Sequence, residues 1–141
     1  MSTSNYLETA ETAKTPKHWS KAARKRILIV EDDRLSLKVL RQLLAARSYD
    51  VLQASGGWDA INRARHERPD LILMDLRLPD ISGLDATRLL KMDDQTKNIP
   101  IIAVTAFATP SFEATAYENG CDAYIAKPID IENLLGTLES L

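Results

Sequence analysis

The chain has 141 residues, enough for one domain with a substantial core and too few for two. Hydrophobic residues make up 45% and charged residues 27%, the balance of a soluble globular protein rather than a membrane-embedded or disordered one. The formal net charge of −2 is unevenly spread: residues 1–25 carry Lys14, Lys17, Lys21, Arg24 and Lys25 against Glu8 and Glu11, while the remainder is acidic, which excludes nucleic acid as a partner of the body by charge.

Residues 1–25, rich in Ser, Thr, Ala and Lys around Pro16, are expected to form a mobile basic tail. His18, Trp19 and the basic run from Lys21 to Arg26 offer contacts for a partner or an anionic surface, although a solvated, partly helical leader explains them as well. No apolar core precedes these basic residues, so the segment is not a secretory signal, and no run reaches membrane-spanning length. The single cysteine, Cys121, leaves no internal disulfide and suits a reducing compartment. Together these features predict a cytoplasmic protein with no membrane partner.

From Arg26 the pattern becomes regular. Residues 27–30 are wholly apolar and end in Glu31-Asp32-Asp33, which reads as a buried strand. Residues 35–47 are helical, with Ser36, Val39, Leu40, Leu43 and Leu44 on a 3.6-residue stripe. Asp33 stands where a cap for this helix is needed. A second strand over 51–54 is punctuated by Gly56-Gly57, and residues 58–68 form a second helix with Ala60, Ile61 and Ala64 inward. Residues 71–74 run apolar on every position straight into Asp75, as a strand covered on both faces does. A third helix follows over 83–92, with Leu84, Leu89 and Leu90 apolar. Pro100 precedes a fourth strand, residues 101–104, which ends in Thr105. Pro110 opens a fourth helix at its first turn, and Asn119-Gly120 closes it. A short fifth strand over 123–126 runs into Lys127-Pro128, and a last helix occupies 130–140.

Five strands alternating with five helices, each crossover long enough for a right-handed βαβ unit, predict an α/β fold built on one doubly wound, five-stranded parallel sheet. In such a sheet the carboxyl ends of the strands converge on one crevice. Here those ends bear Glu31 and Asp32, Asp75, Thr105 and Lys127. Clustered carboxylates repel one another, and a hard divalent cation removes that penalty; oxygen ligands with room for water suit Mg²⁺. A carboxylate so placed is a nucleophile toward a phosphoryl group and yields an aspartyl phosphate. Lys127 and the cation would neutralise the phosphoryl oxygens, and Thr105 would hydrogen-bond them. The chain has no G-x-x-x-x-G-K-[ST] loop, so the phosphoryl donor is expected to be another phosphorylated protein or a small reactive phosphate.

Residues 26–141 resemble the receiver domain of bacterial two-component response regulators. The matching positions are Ile29-Val30-Glu31-Asp32, Asp75 with Pro79 and Gly83, Thr105-Ala106, and Tyr124 three residues before Lys127-Pro128. The resemblance implies a flavodoxin-like sheet of order 2-1-3-4-5. It implies that Asp75 accepts phosphate from a histidine kinase or a histidine phosphotransfer protein. Asp32, Asp75 and the backbone carbonyl of Arg77 would bind Mg²⁺, with Glu31 acting through water. Lys127 would contact the phosphoryl oxygens, Thr105 and Tyr124 would form a switch pair, and the bond before Pro128 would be cis. Leu35, off the helical stripe and beside the acidic crevice, is the expected kinase-docking residue.

Two positions depart from the fastest-cycling members of that family. Two residues past Asp75 stands Arg77, and two past Thr105 stands Phe107; neither orients an attacking water, so the phosphorylated form is expected to be long-lived. The chain stops at Leu141 after the last helix, so output is expected through contact with another protein. The face formed by the fourth helix, fifth strand and fifth helix holds Glu113, Glu118, Asp122, Asp130, Glu132 and Glu139, and Lys127 is its sole cation. Symmetric pairing of that face would oppose like charges. A monomer is therefore expected, meeting an output protein through a basic or apolar patch on that partner. Two alternatives stand beside this reading. A small Mg²⁺-dependent phosphatase would need a second acid two residues past Asp75. A scaffold-only receiver would not need the complete Glu31, Asp32, Asp75, Thr105 and Lys127 set.

Overall fold

A computed structural model describes residues 24–141. The expected mobile leader, with His18, Trp19 and Lys21, lies outside the described residues apart from Arg24 and Lys25. Strands and helices alternate in the order β1 (Arg26–Val30), α1 (Arg34–Ala46), β2 (Asp50–Ala54), α2 (Gly57–Glu67), β3 (Leu71–Asp75), α3 (Gly83–Met92), β4 (Ile101–Thr105), α4 (Pro110–Glu118), β5 (Ala123–Ala126) and α5 (Ile131–Ser140). All strand pairs are parallel and the sheet order is β2-β1-β3-β4-β5. Each half of the sheet is wound outward from β1 and β3, so the carboxyl ends of these two strands flank the topological switch point.

Burial explains the order. Every residue of β3 and β4 is buried, as their unbroken apolar runs require, while the edge strands β2 and β5 mix buried with half-exposed positions. Successive side chains alternate between two cores. Leu28, Val30, Ile72, Met74, Ile101 and Ala103 face Ala60 and Ala64 of α2, Ala86 and Leu90 of α3 and Ala116 of α4. Ile27, Ile29, Leu71, Leu73, Ile102 and Val104 face Leu40 and Leu44 of α1 and Leu134 and Leu138 of α5. Each fully buried aliphatic side chain contributes about 1.5–3 kcal/mol, so the central strands are the best-anchored part of the chain.

The stripe on α1 differs from the one expected. Asp33 caps the helix, its carboxylate accepting from the Ser36 amide at 2.9 Å. Leu37, Leu40 and Leu44 turn to the sheet. Val39 is 47% exposed, and Ser36 and Leu43 are half-buried. The row Leu35, Val39 and Leu43 instead borders a groove of about 320 Å³, closed on its far side by Ile129 and Ile131. A periodic run of apolar residues wider than one face leaves its phase open to a register error of this kind.

Two glycines are required by the backbone. A Cβ on Gly83 would lie 2.2 Å from the Asp75 carbonyl oxygen and 2.7 Å from the Leu76 Cα, so the start of α3 packs directly on the end of β3. Gly120, with φ of +106°, closes α4 in the left-handed region. Next to it, Cys121 is buried against Thr87, and burial pushes its thiol up to about 11.

Candidate functional site

The carboxyl ends of β1, β3, β4 and β5 open onto one crevice of about 410 Å³, bordered by Glu31, Asp32, Asp75, Arg77, Ala106 and Lys127. Each of Glu31, Asp32 and Asp75 offers a carboxylate oxygen, and these three atoms lie within 4.8 Å of one another. Glu31 and Asp75 are buried, whereas Asp32 is exposed at the mouth.

Lys127 reaches across from the end of β5. Its ammonium donates to Glu31 Oε1 at 2.8 Å and to Asp75 Oδ2 at 3.1 Å. The remaining oxygens of the two buried carboxylates accept backbone amides: Glu31 Oε2 from Asp33 at 3.1 Å and Asp75 Oδ1 from Arg77 at 3.0 Å. Burial pushes the Glu31 carboxyl up; Lys127 pulls it back and neighbouring Asp75 pushes it up again, with a net upward shift. Burial alone would lower Lys127, but its hydrogen bonds to Glu31 and Asp75 outweigh that and hold its ammonium above the ordinary lysine value. One ammonium facing three carboxylates leaves an excess of negative charge, and the free valence is made entirely of hard oxygen donors. The residues present therefore fit a divalent cation of the Mg²⁺ class.

Beside the crevice, Thr105 is buried, and its hydroxyl accepts from the Phe107 amide at 3.0 Å. The Tyr124 hydroxyl donates to the Phe107 carbonyl. Thr105 and Tyr124 thus grip the two sides of one residue, whose 47%-exposed ring lies 5.2 Å from the Arg77 guanidinium carbon. The Lys127–Pro128 peptide bond is cis. Leu35 lies at the opposite rim, 70% exposed, on the groove between α1 and the chain that follows Lys127.

The structure thus brings Glu31, Asp32, Asp75, Arg77 and Lys127 together, places Thr105 and Tyr124 alongside through Phe107, and leaves Leu35 on the flank. Asp122, counted above among the free acids of the output face, is instead paired with Lys91 at 3.0 Å and accepts the Ile101 amide at 2.9 Å, which ties α3 to the start of β4. Asp80 drew no notice in the sequence, yet its carboxylate holds the start of α2. The signal was Gly56-Gly57, a helix start with no side chain to cap it.

Residues 27–139 match the family described as response regulator receiver domain. The chain belongs to this family. It is 46% identical over 116 residues to the polar-differentiation response regulator DivK of Brucella anthropi, a match spanning 82% of this chain and 94% of that protein. The DivK of Brucella ovis is 44% identical over the same length, with the same coverage. Among solved structures, the receiver domain of sensor histidine kinase PA1611 from Pseudomonas aeruginosa, which carries a magnesium ion in its active-site cleft, superposes with a TM-score of 0.77 at 33% identity, over 83% of this chain and 96% of that one. A CheY-like receiver domain protein from Methanospirillum hungatei gives 0.77 at 30% identity, over 83% and 92%. The receiver family is one of signalling domains. No helix among the described residues is long and apolar enough to cross a membrane.

The raised folded-state value of Lys127 sets a sign for stability in the absence of divalent cations. The stabilising contribution is fully present below the free lysine value of about 10.4 and is lost as pH rises through the higher folded value. Urea unfolding of the receiver at pH 8 and pH 11, compared with a Lys127→Met variant, is expected to show the larger alkaline loss in the parent. An equal loss in both would remove Lys127 as the group responsible.

Proposed function

We propose that this receiver is a single-domain response regulator that takes a phosphoryl group onto Asp75 from the phosphohistidine of a sensor kinase or phosphotransfer protein. The observation that carries this reading is the buried Asp75 carboxylate, within reach of two further carboxylates and of Lys127. In the transfer, an Asp75 carboxylate oxygen forms the new bond to phosphorus as the phosphorus–nitrogen bond of the donor breaks. The imidazole leaves with the bonding pair and takes a proton from solvent. Asp32, Asp75 and the Arg77 carbonyl would hold Mg²⁺, with Glu31 acting through water; when bound, the ion supplies charge neutralisation to the phosphoryl oxygens. The magnesium in the cleft of the PA1611 receiver supports this assignment. Lys127 sits within hydrogen-bond reach of Asp75 and would pass from the carboxylate to the incoming phosphoryl oxygens. Thr105 would exchange the Phe107 amide for the phosphoryl group, and Tyr124 would follow through its bond to the same residue.

Labelling by acetyl phosphate is expected to require Mg²⁺ and Asp75. Chelation by EDTA and the Asp75→Asn substitution should each abolish it, read by Phos-tag electrophoresis or radiolabel. Full stoichiometric label on the Asn variant would sink the assignment.

The Arg77 guanidinium stacked on the Phe107 ring leaves no acid or amide to orient an attacking water. Phosphate release after removal of the donor is expected to take many minutes, and a half-life of seconds would show that the pair gives no protection.

The groove beside α1 supports docking of the donor. Leu35 and Val39 expose apolar surface there, and the helix carries Arg34, Lys38 and Arg41 with no acidic residue. Leu35→Asp is expected to slow transfer from a kinase at least about tenfold, the scale of losing one buried apolar anchor, while labelling by acetyl phosphate stays at the parental rate. Loss of both together would indicate misfolding.

Output is assigned to the face of α4, β5 and α5, which carries the exposed acids Glu113, Glu118, Glu132 and Glu139 and the exposed Tyr117. This face suits a partner with a basic or apolar patch. Light scattering of the beryllofluoride-Mg²⁺ form should give a monomer; a tight dimer mapped to residues 111–141 would overturn the charge argument.

A further inference from the structure

The segment from Leu76 to Gly83 carries Arg77 along one wall of the crevice; the Arg77 amide is held by Asp75 Oδ1 at 3.0 Å, and the rest of the loop is tied down at two further places. At its base the Gly83 amide donates to the Leu76 carbonyl at 3.0 Å. At its tip the Asp80 carboxylate bridges to a different element: Oδ1 accepts the Gly57 amide at 2.8 Å and Oδ2 the Trp58 amide at 2.9 Å. These amides belong to the first turn of α2, whose N-cap residue Gly56 has no side chain to offer. Ile81 packs against the same turn, its Cγ1 2.4 Å from where a Cβ on Gly57 would stand. The span from Arg77 to Pro79 therefore runs from the Asp75 carboxylate, where the Arg77 amide is fixed, to the anchor that Asp80 makes on α2.

We propose that Asp80 is a positioning residue for the Asp75 site: by anchoring the 76–83 loop to α2 it holds the Arg77 backbone against the carboxylate cluster and thereby sets the affinity for a divalent cation. The inference rests on the proposed reading of that cluster as a Mg²⁺ site. The Trp58 amide, then the Gly57 amide, hold the Asp80 carboxyl down to about 2, so the anchor stays ionised throughout the physiological range.

A cap for α2 and an anchor for the loop are separable. Gly56 has φ of −155° and ψ of 173°, an extended conformation that any residue adopts and that an N-cap requires. A Cβ there would meet the Asp80 carboxylate at 3.0 Å, and Asp80→Ala clears that space. The double variant Gly56→Asp/Asp80→Ala thus returns a carboxylate, with its charge, to the start of α2 but leaves the loop only its Ile81 packing on that turn.

The test uses the full chain and titrates MgCl₂ by calorimetry. Urea unfolding reports stability, and amide exchange at Gly57 and Trp58 by NMR reports the anchor. Asp80→Ala is expected to free both amides, lower the unfolding midpoint and weaken Mg²⁺ binding about tenfold, the scale of losing an outer-shell partner of a metal site. In the double variant the midpoint and the Trp58 protection return, while Mg²⁺ binding stays weak. If Asp80→Ala binds Mg²⁺ as tightly as the parent with its amides freed, or if the double variant regains affinity along with stability, Asp80 is a helix cap and no more. A parent that binds no Mg²⁺ overturns the metal reading itself, and this inference with it; that outcome is visible before any variant is made.

Discussion

The ammonium of Lys127, set between the Glu31 and Asp75 carboxylates, is the interaction on which this site depends. It joins the end of an edge strand to the ends of the two strands at the switch point, across residues separated by 96 and 52 positions in the chain. Two carboxylates buried this deeply and this close repel one another unless a positive charge lies between them. One positive charge offsets part of that repulsion and leaves the cluster short of full compensation. That residual deficit fits the crevice to a divalent cation rather than to a closed salt bridge.

The sheet serves this arrangement by being hard to deform. Its central strands bury side chains on both faces, in two cores that share no residue, so the strand ends cannot shift without disturbing packing above and below. Asp75 and Thr105 are the last residues of β3 and β4, and the other functional groups sit just past the strand ends, on short loops tied by backbone hydrogen bonds such as Leu76 to the Val104 carbonyl and Lys127 to the Thr105 carbonyl. Rigid strands and short loops together hold one oxygen of each carboxylate within 4.8 Å of the others.

Much of this was legible in the chain before folding. Unbroken apolar runs such as 71–74 announce strands covered on both faces, and a polar residue at the end of each run announces the crevice. The Asp33 cap of α1 was legible, but the phase of the helix was not, because its apolar residues cover more than one face and packing against the sheet decides which of them turns inward. The pairing of Asp122 with Lys91 was equally hidden: nothing local distinguishes a solvated acid in a turn from one that meets a lysine on a distant helix. Asp80 escaped for the same reason. A helix start of two glycines says that an acceptor is missing, but not which distant residue provides it. Sequence patterns report what a segment requires; the fold decides which partner meets the requirement.

Cys121 has a practical consequence. Its thiol is 5% exposed and burial raises it to about 11, so almost no thiolate exists at neutral pH and little of it is within reach of a reagent. With no second cysteine in the chain, the native protein is already a silent background for maleimide chemistry. A single cysteine introduced on α4 or on the loop that follows β4 would carry a spin label or fluorophore at one defined point, and movements of the switch region would become measurable without first removing any native thiol.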